Sequence, residues 1–312
     1  MTEPLTLNAS SGNAQIDEIT AGVLTLMDLQ FGERISGCYF EGSCADGALT
    51  PLSDIDLTLV FHERCTPLEQ QRFAALAAAC RRISSRSLDI GCTDTATLLH
   101  ADTLPFQPDC LPVLQAIMLK CASVCIYGAD LRSAIPLVSH AVYRRTLMHF
   151  PYPVLAGQRK HPPTLPIPLP LLDPTDEFYG YTGRRLRAAD GTLQPSTKRI
   201  VHASGFIATA LVALNTSVYV ANKRTVLTVY RQQINDEWAE HLENVHTYCR
   251  LKWGYAVPTA PEDRSILRAI CAREHAFENH FLAIYQDYLR REQHTDDPVA
   301  QQFARERLAR LA

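Results

Sequence analysis

The chain predicts an α/β (α+β) N-terminal domain followed by an all-α helical bundle, and three observations lead there. Residues 14–135 alternate stretches of helical period with stretches of strand period. Residues 161–183 carry six prolines, Pro162, Pro163, Pro166, Pro168, Pro170 and Pro174, a density that rules out helix and central strand. From residue 197 onward the apolar spacing is helical throughout. At 312 residues the chain is long enough for two cores. The expected boundaries are 14–135 for the first domain, 136–196 for a Pro-rich connector lying over the surface, and 197–312 for the helical domain.

Each element has a local reason. Residues 1–13 read as a loose tail, and 14–32 place Ile16, Ile19, Val23, Leu26, Met27 and Leu29 or Phe31 on one helix face. "RISGCYFEG" reads as a strand ending at Gly42, and the small-residued stretch from Ser43 to Thr50 closes at Pro51. "DIDLTLVF" alternates polar and apolar residues, as a strand with one buried face does. In 66–85, Thr66 can cap, Pro67 sits at the first helical position and Glu69 completes a capping box. "RSLDIGCTD" returns as a strand, and 111–128 read as a further helix ended by Gly128. In the second half, helices are expected at about 197–221, 223–233, 236–252, 262–292 and 297–311. The stretch 200–222, most of it in the first of these, has no Lys, Arg, Asp or Glu and the length of a membrane span; six polar residues point instead to a central buried helix, with no membrane role.

Composition narrows the function. A formal net charge of −3, from 30 Lys+Arg against 33 Asp+Glu, supplies no strong basic field for a long nucleic acid and favours a small substrate. The ten cysteines include no C-x-x-C, and no basic or apolar leader precedes the first helix, so reduced thiols and a cytoplasmic location are expected. Cys121 and Cys125 would share a helix face, as core thiols rather than metal ligands. His161, His202 and His241 lack metal spacing.

The chemistry concentrates in "EGSCADGALTPLSDIDLTLVF". Strand alternation puts Asp54 and Asp56 on one face and Ile55, Leu57 and Leu59 on the other. Two adjacent carboxylates on a sheet repel unless a cation neutralises them, and magnesium suits hard oxygen ligands with positions left open for phosphate. Gly42 lets the chain turn, and Ser43 begins a short helical turn whose N–H groups and hydroxyl can hold phosphate. A third carboxylate is expected on a neighbouring strand, Asp89 first and Asp94 second, either to complete the metal site or to deprotonate an attacking hydroxyl.

G-S-x10-D-x-D followed by an apolar strand resembles the nucleotidyltransferase superfamily related to DNA polymerase β. More closely, "GSCADGALTPLSDIDL" resembles the phosphate loop of the streptomycin/spectinomycin-type aminoglycoside adenylyltransferases. "CASVCIYGADL" is similar to the segment closing their first domain, and residues 217–249 to their helical second domain. The resemblance implies a mixed sheet, an active site between the two domains, and a role in antibiotic resistance. It implies Mg2+, two ions, held by Asp54 and Asp56 with Asp89 as third ligand or base. Phosphate would be held by Gly42, Ser43 and Ser53, and the triphosphate by Lys223. ATP would be the substrate and a small hydroxyl-bearing acceptor such as an aminoglycoside the partner, with nucleic acid possible but not favoured. Transfer to tRNA or protein, and a silent regulatory member of the fold, stay open as alternatives. The chain departs from the pattern in three places: Asp89 where the antibiotic enzymes use glutamate, Ala210 where they place an arginine, and Glu41 where an apolar residue is usual.

Two further segments carry candidate roles. In 178–199, Tyr179, Tyr181 and Arg184 are candidates for a loop clamping nucleotide or an anionic acceptor, against a solvated connector. The C-terminal charged helix face reads as solvated or as an oligomer contact.

Overall fold

The computed structural model describes residues 5–104, 111–159, 164–188 and 190–311. Its contacts divide into two compact units: Met1–Leu104, Pro112–Val138 and Leu186–Gln194 form the first, and Pro105–Leu111, Ser139–Arg185 and Pro195–Ala312 the second.

In the first unit α1 (Ala14–Phe31), capped by Asn13, leads to β1 (Ile35–Glu41), a single turn α2 (Gly42–Ala45), and β2 (Ile55–Phe61). Then come α3 (Pro67–Ile83), β3 (Leu88–Asp94), α4 (Thr95–Leu99), α5 (Leu111–Ala122) and β4 (Val124–Gly128). The Thr66/Glu69 capping box of α3 is present, with Glu69 N–H donating to Thr66 Oγ1 at 3.3 Å and Thr66 N–H to Glu69 Oε2 at 2.8 Å. The sheet order is β3-β2-β1-β4. β1 runs antiparallel to β2 and β4, and β2 runs parallel to β3, so the sheet is mixed. Its apolar face, including Cys38, Phe40, Ile55, Leu57, Leu59, Phe61, Leu88, Ile90 and Ile126, packs on Ile16, Val23, Leu24, Met27 and Phe31 of α1 and on Phe73, Ala77 and Cys80 of α3.

Two expectations fail here. Residues 111–128 are not one helix: α5 stops at Ala122, and 124–128 join the sheet as an edge strand. The β-forming run Val124–Tyr127 pairs with β1, and that pairing overrides the helical pattern. Cys121 and Cys125 therefore lie on different elements, and Cys121 is exposed rather than in the core. The described part of the tail is also tied down, with Asn8 N–H donating to Ile126 O at 2.8 Å and Leu5 N–H to Thr25 Oγ1 at 3.1 Å.

The second unit contains α6 (His140–His149), α7 (Pro151–Arg159), α8 (Lys198–Asn215), α9 (Lys223–Gln233), α10 (Ala239–Asn244), a π-helix (Val245–Lys252), α11 (Pro261–Glu292) and α12 (Pro298–Leu308). A short hairpin of β5 (Arg185–Arg187) and β6 (Leu193–Pro195) precedes α8. The expected connector 136–196 is corrected, because α6 and α7 occupy 140–159 and contribute Met148, Tyr152 and Leu155 to the core. The described prolines after them do exclude helix and sheet strand, and Pro166, Pro168, Pro170 and Pro174 are exposed, while apolar residues between them anchor the segment to the core. Leu165 and Leu169 are buried, Leu165 N–H donates to Arg310 O at 2.7 Å, and Leu169 N–H donates to Asn279 Oδ1 at 2.6 Å. Prolines remove backbone donors, and the remaining donors here are met by neighbouring chain. His161, Pro162 and Pro163 lie outside the described residues.

α8 supplies the centre of this core through Ala203, Ile207, Ala208, Ala210, Leu211 and Val212, and it ends at Asn215 rather than near 221. Among the described residues no helix is long and apolar enough to cross a membrane.

Candidate active site

The polar face of the first unit's sheet follows from pleat alternation. With Phe40, Leu57 and Ile90 in the core, Glu41, Asp56 and Asp89 take the opposite face. They are also in register, Glu41 opposite Asp56 and Asp56 opposite Asp89, forming a row of three carboxylates across β1, β2 and β3.

Gly42 gives this row its geometry. Its φ is +56°, and a Cβ there would stand 2.5 Å from Asp56 Oδ2, so the Asp56 carboxylate lies against bare backbone. α2 follows, with Ser43 and Cys44 buried in its single turn. The loop back to β2 is fastened at several points. Thr50 N–H donates to Ser53 Oγ at 2.9 Å, Arg86 Nη1 donates to Pro51 O at 2.7 Å, Ile55 N–H donates to Ser87 O at 2.9 Å, and Cys44 Sγ approaches Asp54 O at 3.8 Å. Arg86 is itself buried, a loop anchor that sequence reasoning missed.

The electrostatics are those of crowded acids. Burial first, then the neighbouring Asp56 charge, pushes the Glu41 carboxyl up to about 7, with the Thr58 hydroxyl offsetting part of the rise and Asp89 adding to it. Glu41 Oε1 is buried without a hydrogen-bond partner. Burial and the Asp56 charge also push the Cys44 thiol up to about 12, so it stays protonated and unreactive.

The expected site residues divide. Gly42, Ser43, Asp54, Asp56 and Asp89 all belong to the first unit, with Asp54 buried one residue before β2. Asp89 is exposed and paired with Arg81 Nη2 at 3.3 Å. Ser53 is only 1% exposed and its hydroxyl is engaged by Thr50, which makes it a loop tie. Asp94 caps α4, accepting from Thr97 N–H and Thr97 Oγ1 at 2.8 Å each. Lys223 belongs to the second unit at the start of α9; its side chain lies outside the described residues.

Tyr181 is no clamp, being fully buried with its hydroxyl donating to Glu278 Oε2 at 2.7 Å. Tyr179 meets Arg268 Nε at 3.4 Å, and Arg184 Nη1 stands 3.1 Å from His202 Nδ1. The residue missed at the centre is Glu41. Its signal was present in the sequence as a carboxylate at the end of β1, directly before Gly42, where an apolar side chain was expected.

Among the described residues no group of three or more His, Cys, Asp or Glu side chains could hold a metal ion, so the set Asp54, Asp56 and Asp89 is not a ready-made cage. The donor chemistry still suits magnesium. Hard carboxylate oxygens, one of them buried and unpartnered, stand beside a glycine that keeps Asp56 clear, and magnesium commonly takes one or two carboxylates plus substrate phosphates.

No protein-family model and no curated protein matches this chain. Among solved structures it has a fold-level resemblance to the spectinomycin adenyltransferase AAD(9) from Enterococcus faecialis, whose crystal structure includes ATP and spectinomycin. The TM-score is 0.49 and the identity 14%, over 84% of this chain and 98% of that one.

Proposed function

We propose that this chain is a magnesium-dependent nucleotidyltransferase that moves AMP from ATP onto a hydroxyl of a small cationic acceptor of aminoglycoside type, releasing pyrophosphate. The observation that carries this reading is the Gly42 turn seated against Asp56, inside the G-S-x10-D-x-D spacing. Such a turn offers backbone N–H groups beside carboxylates, the combination that a metal-bound triphosphate needs.

In this reading Gly42 and Ser43 receive phosphate oxygens. Asp54 and Asp56 would hold magnesium, which when bound neutralises charge building on the phosphates. The acceptor oxygen forms a bond to the α-phosphorus as the bond to pyrophosphate breaks. Asp89 takes the hydroxyl proton, a role supported by its exposure on the row.

Calorimetric titration with each of the four NTPs, with and without magnesium and acceptor, tests the reading. Magnesium-dependent binding of ATP, lost in Asp56→Asn, is the expected outcome. Failure of every NTP to bind under all of these conditions would overturn it.

A further inference from the structure

We infer that Glu41 is a further protein carboxylate, beside Asp54 and Asp56, on the divalent cation that the nucleotide brings. This deepens the proposed function and rests on it. Three independent features of the structure converge on Glu41. It lies directly opposite Asp56 across the β1–β2 pair, on the polar face of the sheet. Its Oε1 is buried and has no hydrogen-bond partner, an arrangement that costs free energy unless something fills the position. The next residue is Gly42, whose missing Cβ leaves the Asp56 carboxylate lodged beside the strand end that carries Glu41.

Asp89, the carboxylate that strand order alone brings forward, is engaged otherwise. Its side chain is 75% exposed and salt-bridged to Arg81. A metal-bound triphosphate neutralises facing acids and supplies the remaining oxygens, so the protein carboxylates need not form a complete cage by themselves. Asp89, off the cation, keeps the role of base that the proposed function gives it.

The test uses manganese as the probe, followed by its electron paramagnetic resonance signal, with the full chain and saturating α,β-methylene-ATP. Glu41→Gln is expected to lower manganese affinity about tenfold or more, as Asp56→Asn does, and by a larger factor than Asp89→Asn. An Asp89→Asn loss equal to or greater than that of Glu41→Gln overturns the assignment while leaving nucleotidyl transfer standing. If the wild-type chain binds no manganese–nucleotide, the underlying functional reading fails and the Glu41 assignment with it. Melting without cation separates a structural role. Glu41→Gln keeps the shape and removes one of two facing charges, so it is expected to melt at or above the wild-type temperature. A lower melting temperature would assign Glu41 to the fold instead.

Discussion

A methyl group at Gly42 would stand 2.5 Å from Asp56 Oδ2, on backbone with φ +56°. Gly42→Ala is therefore expected to cost about 1–2 kcal/mol of stability through its left-handed backbone. It should reduce transfer far more, by about a hundredfold, because it displaces the carboxylate on which the nucleotide site depends. Melting and transfer assays on the same variant check both parts; activity near wild type would separate the Gly42 turn from the chemistry. Neighbouring residues divide the work. Ser53 and Arg86 hold the loop, Asp94 caps a helix, and Glu41, Asp56 and Asp89 face the polar side of the sheet.

At the scale of elements, β4 is the part of the first unit that local pattern concealed. Its last residue, Gly128, has φ +72°, and a Cβ there would run into Ser36 O of the neighbouring β1 stretch. The close approach is with backbone, which cannot swing aside as a side chain can. Gly128→Ala is expected to destabilise the chain by more than about 1 kcal/mol, read from the urea midpoint. An unchanged midpoint would show that the β4–β1 edge tolerates separation there. The capping box of α3 needed no such help, since its donor and acceptor lie three residues apart and meet in any helix starting at Pro67.

For the whole molecule, the helical unit buries acids in its core. Glu274 and Glu278 sit one turn apart on α11, both fully buried. Glu278 accepts from Tyr181 and from Arg159. Glu274 Oε2 lies 2.7 Å from His241 Nε2. Burial, then the nearby Glu278, raises the Glu274 pKa well above the carboxylate range. Burial, then the Arg273 charge, lowers His241 to about 3. A raised carboxyl contributes stability that is complete below its ordinary value of 4.5 and is lost as pH rises through its folded value. Glu274→Gln removes that loss. The variant is therefore expected to gain stability relative to wild type as pH increases above 4.5, measured by urea denaturation at a series of pH values. The opposite loss, from His241 as pH falls below 6.5, stays in both proteins. A constant difference across pH would mean that Glu274 is ionised in the fold.

By itself the sequence determined the features set by near neighbours along the chain. These are the α3 cap, the alternation of β2, the Gly42–Ser43 turn separated from Asp54 by ten residues, and the helical period after residue 197. Each depends on groups a few residues apart, so it can be read without knowing what lies across space. Tertiary structure decided what depends on register and packing. Val124–Gly128 became a strand because β1 offered an open edge, and 140–159 became helices buried against α8. Ser53 and Tyr181 were turned inward to hold the fold. Glu41 entered the carboxylate row for the same reason: it is fifteen residues from Asp56 along the chain, and only the β1–β2 register makes them neighbours.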